Sequence, residues 1–409
     1  MDVRQLRREF PILEREVHGH PLIYLDSAAT SQKPRCVLDA ERRYYAETNA
    51  NVHRGTYALA EEATEAYEGA RARVARFLHA ARPEEVVFTR GTTESLNLVA
   101  QVLARSRLRA GDRVVVAEMD HHSNIVPWHL LRVYSGIELS FAPIDDEGRL
   151  APDAYERFWS DGRTKVVALP HVSNVLGSIV PVRAIADAAH RAGALVVVDA
   201  AQSAPHLPLD VGDLGADFLA FSGHKALGPT GIGALWARFE LLDSLPPWMG
   251  GGEMIESVTR DRITYREPPG RFEAGTPNIA GAVGLHAALD FLEPIGWASL
   301  AEHDRSLSRL FLDLAHDHLG ESLTVYGPRD VRERLAVLSF AMRGIHPHDI
   351  GSLLDAEGIA VRAGQHCAQI VMERFGVPAM VRASPYLYNT PEEVRALVDI
   401  LVRIRDRFR

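Results

Sequence analysis

The chain has 409 residues, with 45 lysines and arginines against 54 aspartates and glutamates, for a formal net charge of −9. That length accommodates two domains or one large α/β domain, and the acidic balance excludes general nucleic-acid binding, which needs a basic face to neutralise phosphates. The charged start MDVRQLRREF, the lack of any run near about 20 apolar residues, and a content of only two cysteines set the expectation of a cytoplasmic chain with no leader, no membrane span and no disulfide framework.

In chain order, LRREFPILERE reads as an N-terminal helix within residues 1–20 that packs near the body of the protein. From about residue 85 to 236, short β-rich runs alternate with helical stretches, the pattern of a mostly parallel sheet covered by helices. The runs are EEVVFT, DRVVVAEM, TKVVALP, ALVVVDA, DFLAFS and GIGALWA. Most end in residues with chemical handles: Thr92 and Thr93, His121 and His122, Ser173 and Asn174, Asp199, then Ser222, His224 and Lys225. Ligands of open α/β sheets sit beyond the carboxyl ends of the strands, so these clusters are expected to face one crevice. LPPWMGGGEMI and REPPGRFEAGTPN read as loops. A helix over Ile279–Leu292 then leads to a smaller α+β domain with the strand RLAVLSFAM and the helix EEVRALVDILVRIRDRF. The expected division is 21–294 for the large domain and 295–409 for the small one. Cys36, in KPRCVLDAERRYY, is expected to be a buried or half-buried helix residue.

Four stretches carry chemistry. FSGHKALGPTGIG puts Lys225 after an apolar strand and before a glycine-rich loop. A lone lysine is ordinarily a solvated charge; here the strand end argues for enclosure, which lowers the pKa and frees the amine to form a Schiff base. Asp199 ends the strand of VVVDAAQSAP, with Gln202 three positions on. A buried carboxylate needs a cation such as a pyridinium nitrogen, although capping of the next turn is the plainer use. GTTESLNLVA opens a helix at Thr92 and Thr93, a start that suits a phosphate or simply an N-cap. RAGQHCAQ holds Cys367 five positions after Arg362; alone it leaves open a nucleophile, a metal ligand or a small buried side chain. The pair His121 and His122 has no further ligands at metal spacing, so no metal site is expected, and stacking on an aromatic ring is the better use of His121.

Taken together, YLDSAATSQKP, NVHRGTYALAEEAT, GTTESLNLVA, DHHSNIVPW, SNVLG, VDAAQ, FSGHK, PPWMGGGEMI, RFEAGTPN, RAGQHCA and VRASPYLYNT, spread over residues 24 to 390, resemble the class V aminotransferase family of pyridoxal-phosphate enzymes, and within it the SufS-type (group II) cysteine desulfurases. The resemblance implies a fold-type I architecture and L-cysteine as substrate. It implies that Lys225 holds pyridoxal 5'-phosphate covalently, that Asp199 meets the ring nitrogen and Gln202 the ring oxygen, and that His121 stacks on the ring with Asn174 on the substrate side. Thr92, Thr93, Ser222 and His224 would hold the phosphate, joined by Gly275 and Thr276 of a second copy in a homodimer. Arg382 would bind the substrate carboxylate with Arg362 close by, and Cys367 would take the sulfur as a persulfide, its thiol pKa lowered by Arg362.

The short R-x-G-x-x-C-A segment of group II members implies a dedicated sulfur acceptor of SufE or SufU type, in iron-sulfur cluster assembly. His348 resembles the histidine that SufU-using members offer to the partner's zinc. Two positions depart from the family pattern: Asp120, where Glu is usual, and Gln365, where many members have a second histidine. The alternative within the fold is a selenocysteine lyase or another β-eliminating lyase. A catalytically silent scaffold has no use for Lys225, Asp199, His121, Arg382 and Cys367 together, and a transaminase none for Cys367.

Overall fold

The computed structural model describes residues 1–408. Its centre is a seven-stranded sheet, in spatial order Val86–Thr89, Gly233–Ala237, Phe218–Ser222, Leu195–Asp199, Thr164–Pro170, Arg113–Ala117 and Glu138–Ala142. Gly233–Ala237 runs antiparallel to both neighbours, and every other pairing is parallel. This is the mostly parallel, helix-flanked α/β architecture expected. Val114, Val116 and Val197 bury on one face while Val115, Val196 and Val198 bury on the other; burial on both faces is why these strands read as unbroken apolar runs.

The register levels the strand ends. Pro170 pairs with Asp199, Asp199 with Ala220, and both Ser222 and Thr89 pair with Gly233. A Cβ at Gly233 would lie 2.5 Å from the Phe221 carbonyl and 2.6 Å from Gly91 Cα, so glycine is what lets these ends meet.

The helix Ile279–Leu292 forms over the expected span. The long helix Trp297–Leu319 follows and leads into a four-stranded antiparallel sheet, ordered Leu323–Tyr326, Leu338–Met342, Met380–Ala383, Arg362–Gly364. Leu307, Phe311, Phe340, Val381, Leu397 and Leu401 form its core with the last helix, Pro391–Arg407. That helix begins in a capping box, in which Thr390 Oγ1 accepts from the Glu393 N–H and the Glu393 carboxylate accepts from the Thr390 N–H. Ile23–Tyr24 pairs in parallel with Ile359–Ala360, and Leu25 buries in the same core, so the N-terminal segment is stitched to the C-terminal sheet.

Local structure departs from expectation in four places. LRREFPILERE is two short pieces, the helix Val3–Arg7 and a 3₁₀ turn Pro11–Glu14, because Pro11 has no N–H to continue the helical ladder; Phe10 between them is buried against Phe291 and Tyr388. Cys36 is exposed on the helix Arg35–Arg43, whose buried residue is its neighbour Val37. Ile255, the last residue of the stretch LPPWMGGGEMI read as loop, begins a strand, since Ile255–Val258 and Ile263–Tyr265 form an antiparallel hairpin. The seventh sheet strand, Glu138–Ala142, is an edge with four of five residues only half-buried, so ELSFA lacks the apolar run that marked the others. Among the described residues no single helix is long and apolar enough to cross a membrane.

Candidate active site

Beyond the carboxyl ends of the strands lies a cavity of about 210 Å³. The large sheet and its loops contribute Thr92, Thr93, His121, Asn174, Asp199, Gln202, Ser222, His224 and Lys225 to its wall. The C-terminal part contributes Arg362, His366, Cys367 and Arg382. Gly275 and Thr276 are not brought to this cavity; they line a separate cleft with Arg90 and Glu94. His348 is exposed at the start of the helix Pro347–Asp355, its ring 5.1 Å from that of His346.

One end of the cavity is built to receive an anion. The helix Thr92–Ser106 starts there after Gly91, whose φ of 147° and a Cβ that would sit 3.1 Å from Ser222 Oγ both favour glycine. Ser222 Oγ accepts from the Thr92 N–H at 2.9 Å and lies 2.8 Å from Thr92 Oγ1. Ser95 N–H returns to the Gly91 carbonyl, which leaves the N–H groups of Thr93 and Glu94 directed along the positive end of the helix dipole.

Asp199 is buried; Oδ1 accepts from the Ala201 N–H at 2.9 Å, and among the described residues no second hydrogen bond offsets the loss of water. Burial pushes its carboxyl pKa up, and Lys225 pulls it partly back. Among the described residues the Lys225 amine has no hydrogen-bond partner; burial lowers its pKa to about 8, against the attraction of Asp199. Gln202 donates to the Ala28 carbonyl at 2.8 Å, which fixes its amide at the cavity edge.

His121 N-caps the helix His122–Ser135, its Nδ1 accepting from the Ser123 N–H at 3.1 Å. A backbone N–H can only donate, so the imidazole proton lies on Nε2. Burial first, and Lys225 second, lower the His121 pKa to about 3, so the ring is neutral. Beneath it Asp120 is fully buried, accepting from the Ala117 N–H at 2.7 Å and from Asn124 Nδ2 at 2.8 Å.

Cys367 is exposed on a tight turn where both His366 (φ 53°) and Cys367 (φ 55°) occupy the left-handed region, at a cost of about 1–2 kcal/mol each. Four hydrogen bonds hold it: the His122 N–H to the Cys367 carbonyl at 2.8 Å, Ala368 N–H to the Gln365 carbonyl at 2.9 Å, Asn174 Nδ2 to the His366 carbonyl at 2.7 Å, and His366 Nε2 to the Met380 carbonyl at 3.0 Å. Gln365 is exposed and turns its amide to the Pro378 carbonyl.

Arg362 and Arg382 are opposite each other across paired strands. Both are ion-paired to Asp26, Arg382 at 3.1 Å and Arg362 at 3.2 Å. Arg362 therefore lines the cavity but makes no hydrogen bond to Cys367. Sequence reasoning missed Asp26 and His366, and it placed His122 at the crevice, whereas the structure leaves it out of the cavity wall and against the cysteine turn. Asp26 sits in the quoted YLDSAAT stretch and His366 beside Cys367, but neither position signals a partner that folding brings from elsewhere.

Among the described residues the buried amide oxygen of Asn174 and the Nε of Arg382 have no partner, and no group of three or more His, Cys, Asp or Glu side chains is placed to hold a metal. The wall thus suits a ligand with a phosphate at one end, a cationic ring nitrogen for Asp199 and a carbonyl for an unpartnered amine, and pyridoxal phosphate has all three.

Comparison with known proteins agrees. The family model for class-V aminotransferases matches residues 23–397. A probable cysteine desulfurase of Streptomyces coelicolor is 52% identical over 100% of this chain and 98% of its own, and one of Halalkalibacterium halodurans is 48% identical over 100% and 99%. Among solved structures, the apo cysteine desulfurase of Thermococcus onnurineus NA1 superposes with a TM-score of 0.92 at 41% identity, covering 98% of this chain and 97% of that one. The cysteine desulfurase CsdA of Escherichia coli, in an S-sulfonic acid form, gives 0.89 at 40% identity, with 99% of each chain covered. With this cavity and this likeness along its whole length, the chain belongs to the class-V aminotransferase family, among its pyridoxal-phosphate-dependent cysteine desulfurases.

Proposed function

We propose that the protein takes sulfur from L-cysteine, releases L-alanine and keeps the sulfur as a persulfide on Cys367. The observation that carries this reading is that Cys367, Lys225 and Arg382 line one cavity although they lie far apart in the chain. Lys225 would hold pyridoxal phosphate covalently, Asp199 and Gln202 its ring, His121 its face, and Thr92, Thr93, Ser222 and His224 its phosphate. When bound, the cofactor supplies an electron sink for charge left at the substrate's Cα.

The residues of the chain do the rest. Arg382 uses its N–H fork to fix the substrate carboxylate, a geometry that a lysine does not offer. The Lys225 amine, neutral above about 8, takes the Cα proton. The Cys367 thiolate attacks the substrate sulfur; the Cβ–S bond breaks, its electron pair stays with carbon, and an S–S bond forms at Cys367 Sγ. The carbon product then takes two protons, the one that Lys225 holds and the one that Cys367 gave up on becoming a thiolate, with His121 placed to relay the second, and leaves as alanine. One cysteine and one thiol give one alanine and one persulfide, so no external oxidant or reductant enters this half of the cycle.

Gly275 and Thr276 lie away from the single chain's own cavity, which supports a homodimer in which each copy completes the other's phosphate site. The turn that carries Cys367 is exposed yet tied down by four hydrogen bonds, which supports delivery to an acceptor of SufE or SufU type that comes to the site, for iron-sulfur cluster assembly. Incubation with L-cysteine, with alanine and sulfide measured with and without reductant, tests the reaction; no alanine from the cofactor-loaded protein would overturn it.

A further inference from the structure

The carbonyl of His224, in the peptide that joins His224 to Lys225, accepts from four donors of one segment: the Ser31 N–H at 3.0 Å, Thr30 Oγ1 at 3.0 Å, Ser31 Oγ at 3.1 Å and Lys33 Nζ at 2.9 Å. A carbonyl oxygen has two lone pairs, so this one is held by more donors than it needs for satisfaction. Ser31 Oγ also accepts from the Leu227 N–H at 2.9 Å, and Leu227 has a left-handed φ of 62°. The turn Gly223–Lys225 and the residues after it are thus shaped by a segment at least 191 positions earlier in the chain.

Lys33 is the charged member of the four. Its ammonium donates to the Ser31 carbonyl at 2.5 Å as well as to that of His224, so one cation draws together two carbonyl oxygens that would otherwise repel. Burial lowers its pKa to about 8, against the attraction of Glu41. Both of its hydrogen bonds go to neutral carbonyls, and a largely desolvated cation held only in that way is costly. Lys33 lies outside the cavity wall, whereas His224 and Lys225 are both part of it. Its charge still reaches the wall, as the third cause, after burial and Lys225, that lowers the His224 pKa to about 4.

The Lys225 amine has no hydrogen bond of its own among the described residues, so its place in the cavity is set by its main chain and its packing. A reacting group must stand within about 0.5 Å and about 10–20° of its productive geometry. We propose that Lys33 is a positioning residue for the cofactor lysine: from outside the cavity its ammonium clamps the His224 carbonyl and so holds the Lys225 amine where it bonds to the aldehyde carbon of pyridoxal phosphate. In that bond the amine nitrogen replaces the aldehyde oxygen, which leaves as water with the two amine protons. This rests on the reading that Lys225 holds the cofactor covalently.

The test uses the cofactor-free full chain and two probes, with Kd measured by titration calorimetry. One is pyridoxal 5'-phosphate; the other is pyridoxine 5'-phosphate, which has the same ring and phosphate but an alcohol in place of the aldehyde, so it forms no bond to an amine. Lys33→Met keeps the length of the side chain and removes its charge and donors. It is expected to raise the Kd of pyridoxal phosphate about tenfold or more, the size of a lost charge-assisted hydrogen bond, and that of pyridoxine phosphate less than about threefold. Lys33→Arg, which keeps a cation with donors for both carbonyls, brings the first value back to within about threefold of wild type. No rise for pyridoxal phosphate, no recovery in Lys33→Arg, or an equal rise for both probes, which a general loosening of the fold gives, overturns the proposal. If Lys33→Met does not fold, Lys33→Gln is read by the same ratio of the two Kd values, and an unchanged ratio there overturns it. Lys225→Ala tests the underlying reading separately: if it binds pyridoxal phosphate as tightly as wild type, the covalent role of Lys225 fails, whatever Lys33→Met shows.

Discussion

The main-chain carbonyl of Cys367 accepts a hydrogen bond from the His122 N–H at 2.8 Å, and two residues on the Gln369 N–H donates to His122 Nε2 at 3.2 Å. The cysteine turn is thus fastened to the first residue of the helix that His121 caps, so Cys367 and the His121 imidazole are placed by one joint. His122→Ala removes the second bond and keeps the first. A partly exposed hydrogen bond of this kind contributes about 0.5–1.5 kcal/mol, so the expected outcome is a several-fold loss of kcat with KM and the cofactor absorbance unchanged. Steady-state kinetics beside an absorbance spectrum check it.

Lys225→Ala removes the only amine in the cavity. The absorbance band near the visible edge is expected to disappear, and alanine formation to fall by about 10²–10⁴-fold, the range for loss of a positioned proton-transfer group. A variant that retains the band would show that another residue holds the cofactor.

Acid should unfold the cofactor-free protein steeply. Burial is the first cause in lowering the pKa of His121 and His366 to about 3, and of His171 and His224 to about 4. Each folded value lies below the ordinary 6.5, so the unfolded chain binds more protons between the two, and stability falls as pH drops from 6.5 toward 4. Denaturant titrations across that window should report that these four histidines take up protons on unfolding, as a midpoint that falls with pH. A midpoint independent of pH there would contradict the buried neutral histidines.

Asp120 tests the departure from the family's usual glutamate. Its carboxylate satisfies the Ala117 N–H and the Asn124 amide in a fully buried site. Asp120→Ala strands both donors and should lower stability by about 1–3 kcal/mol. Asp120→Glu adds a methylene to a packed position and should cost a similar about 1–3 kcal/mol. Chemical denaturation of the three proteins decides, and a neutral Asp120→Glu would show that the pocket has room.

How far the sequence reached follows from what kind of signal each feature leaves. Val196, Val197 and Val198 are buried on both faces of the sheet, so six strands announce themselves as apolar runs, and the residues that follow them fall at one crevice by the geometry of parallel sheets. Ser140 in the edge strand is half-buried with its neighbours, and no such run exists there. Pro11 was legible as a helix breaker only by weighing its missing N–H against the charged pattern around it. Asp26 bonds to Arg382, 356 positions away, and His122 meets a turn 245 or more residues on; neither pairing leaves a periodicity or a spacing to read. Cys36 was misjudged because its helix buries the adjacent Val37, a one-position shift that changes which face a side chain occupies.

The central claim is that Cys367 is the sulfur-accepting nucleophile. Its most direct test is mass analysis of the Cys367 peptide after the cofactor-loaded enzyme meets L-cysteine without reductant, run beside Cys367→Ala. One added sulfur atom on Cys367, with alanine formed in equal amount and cysteine turnover lost in the variant, is the predicted result. Alanine released at full rate by Cys367→Ala, with no sulfur on the wild-type peptide, would contradict it and leave a β-eliminating lyase in its place.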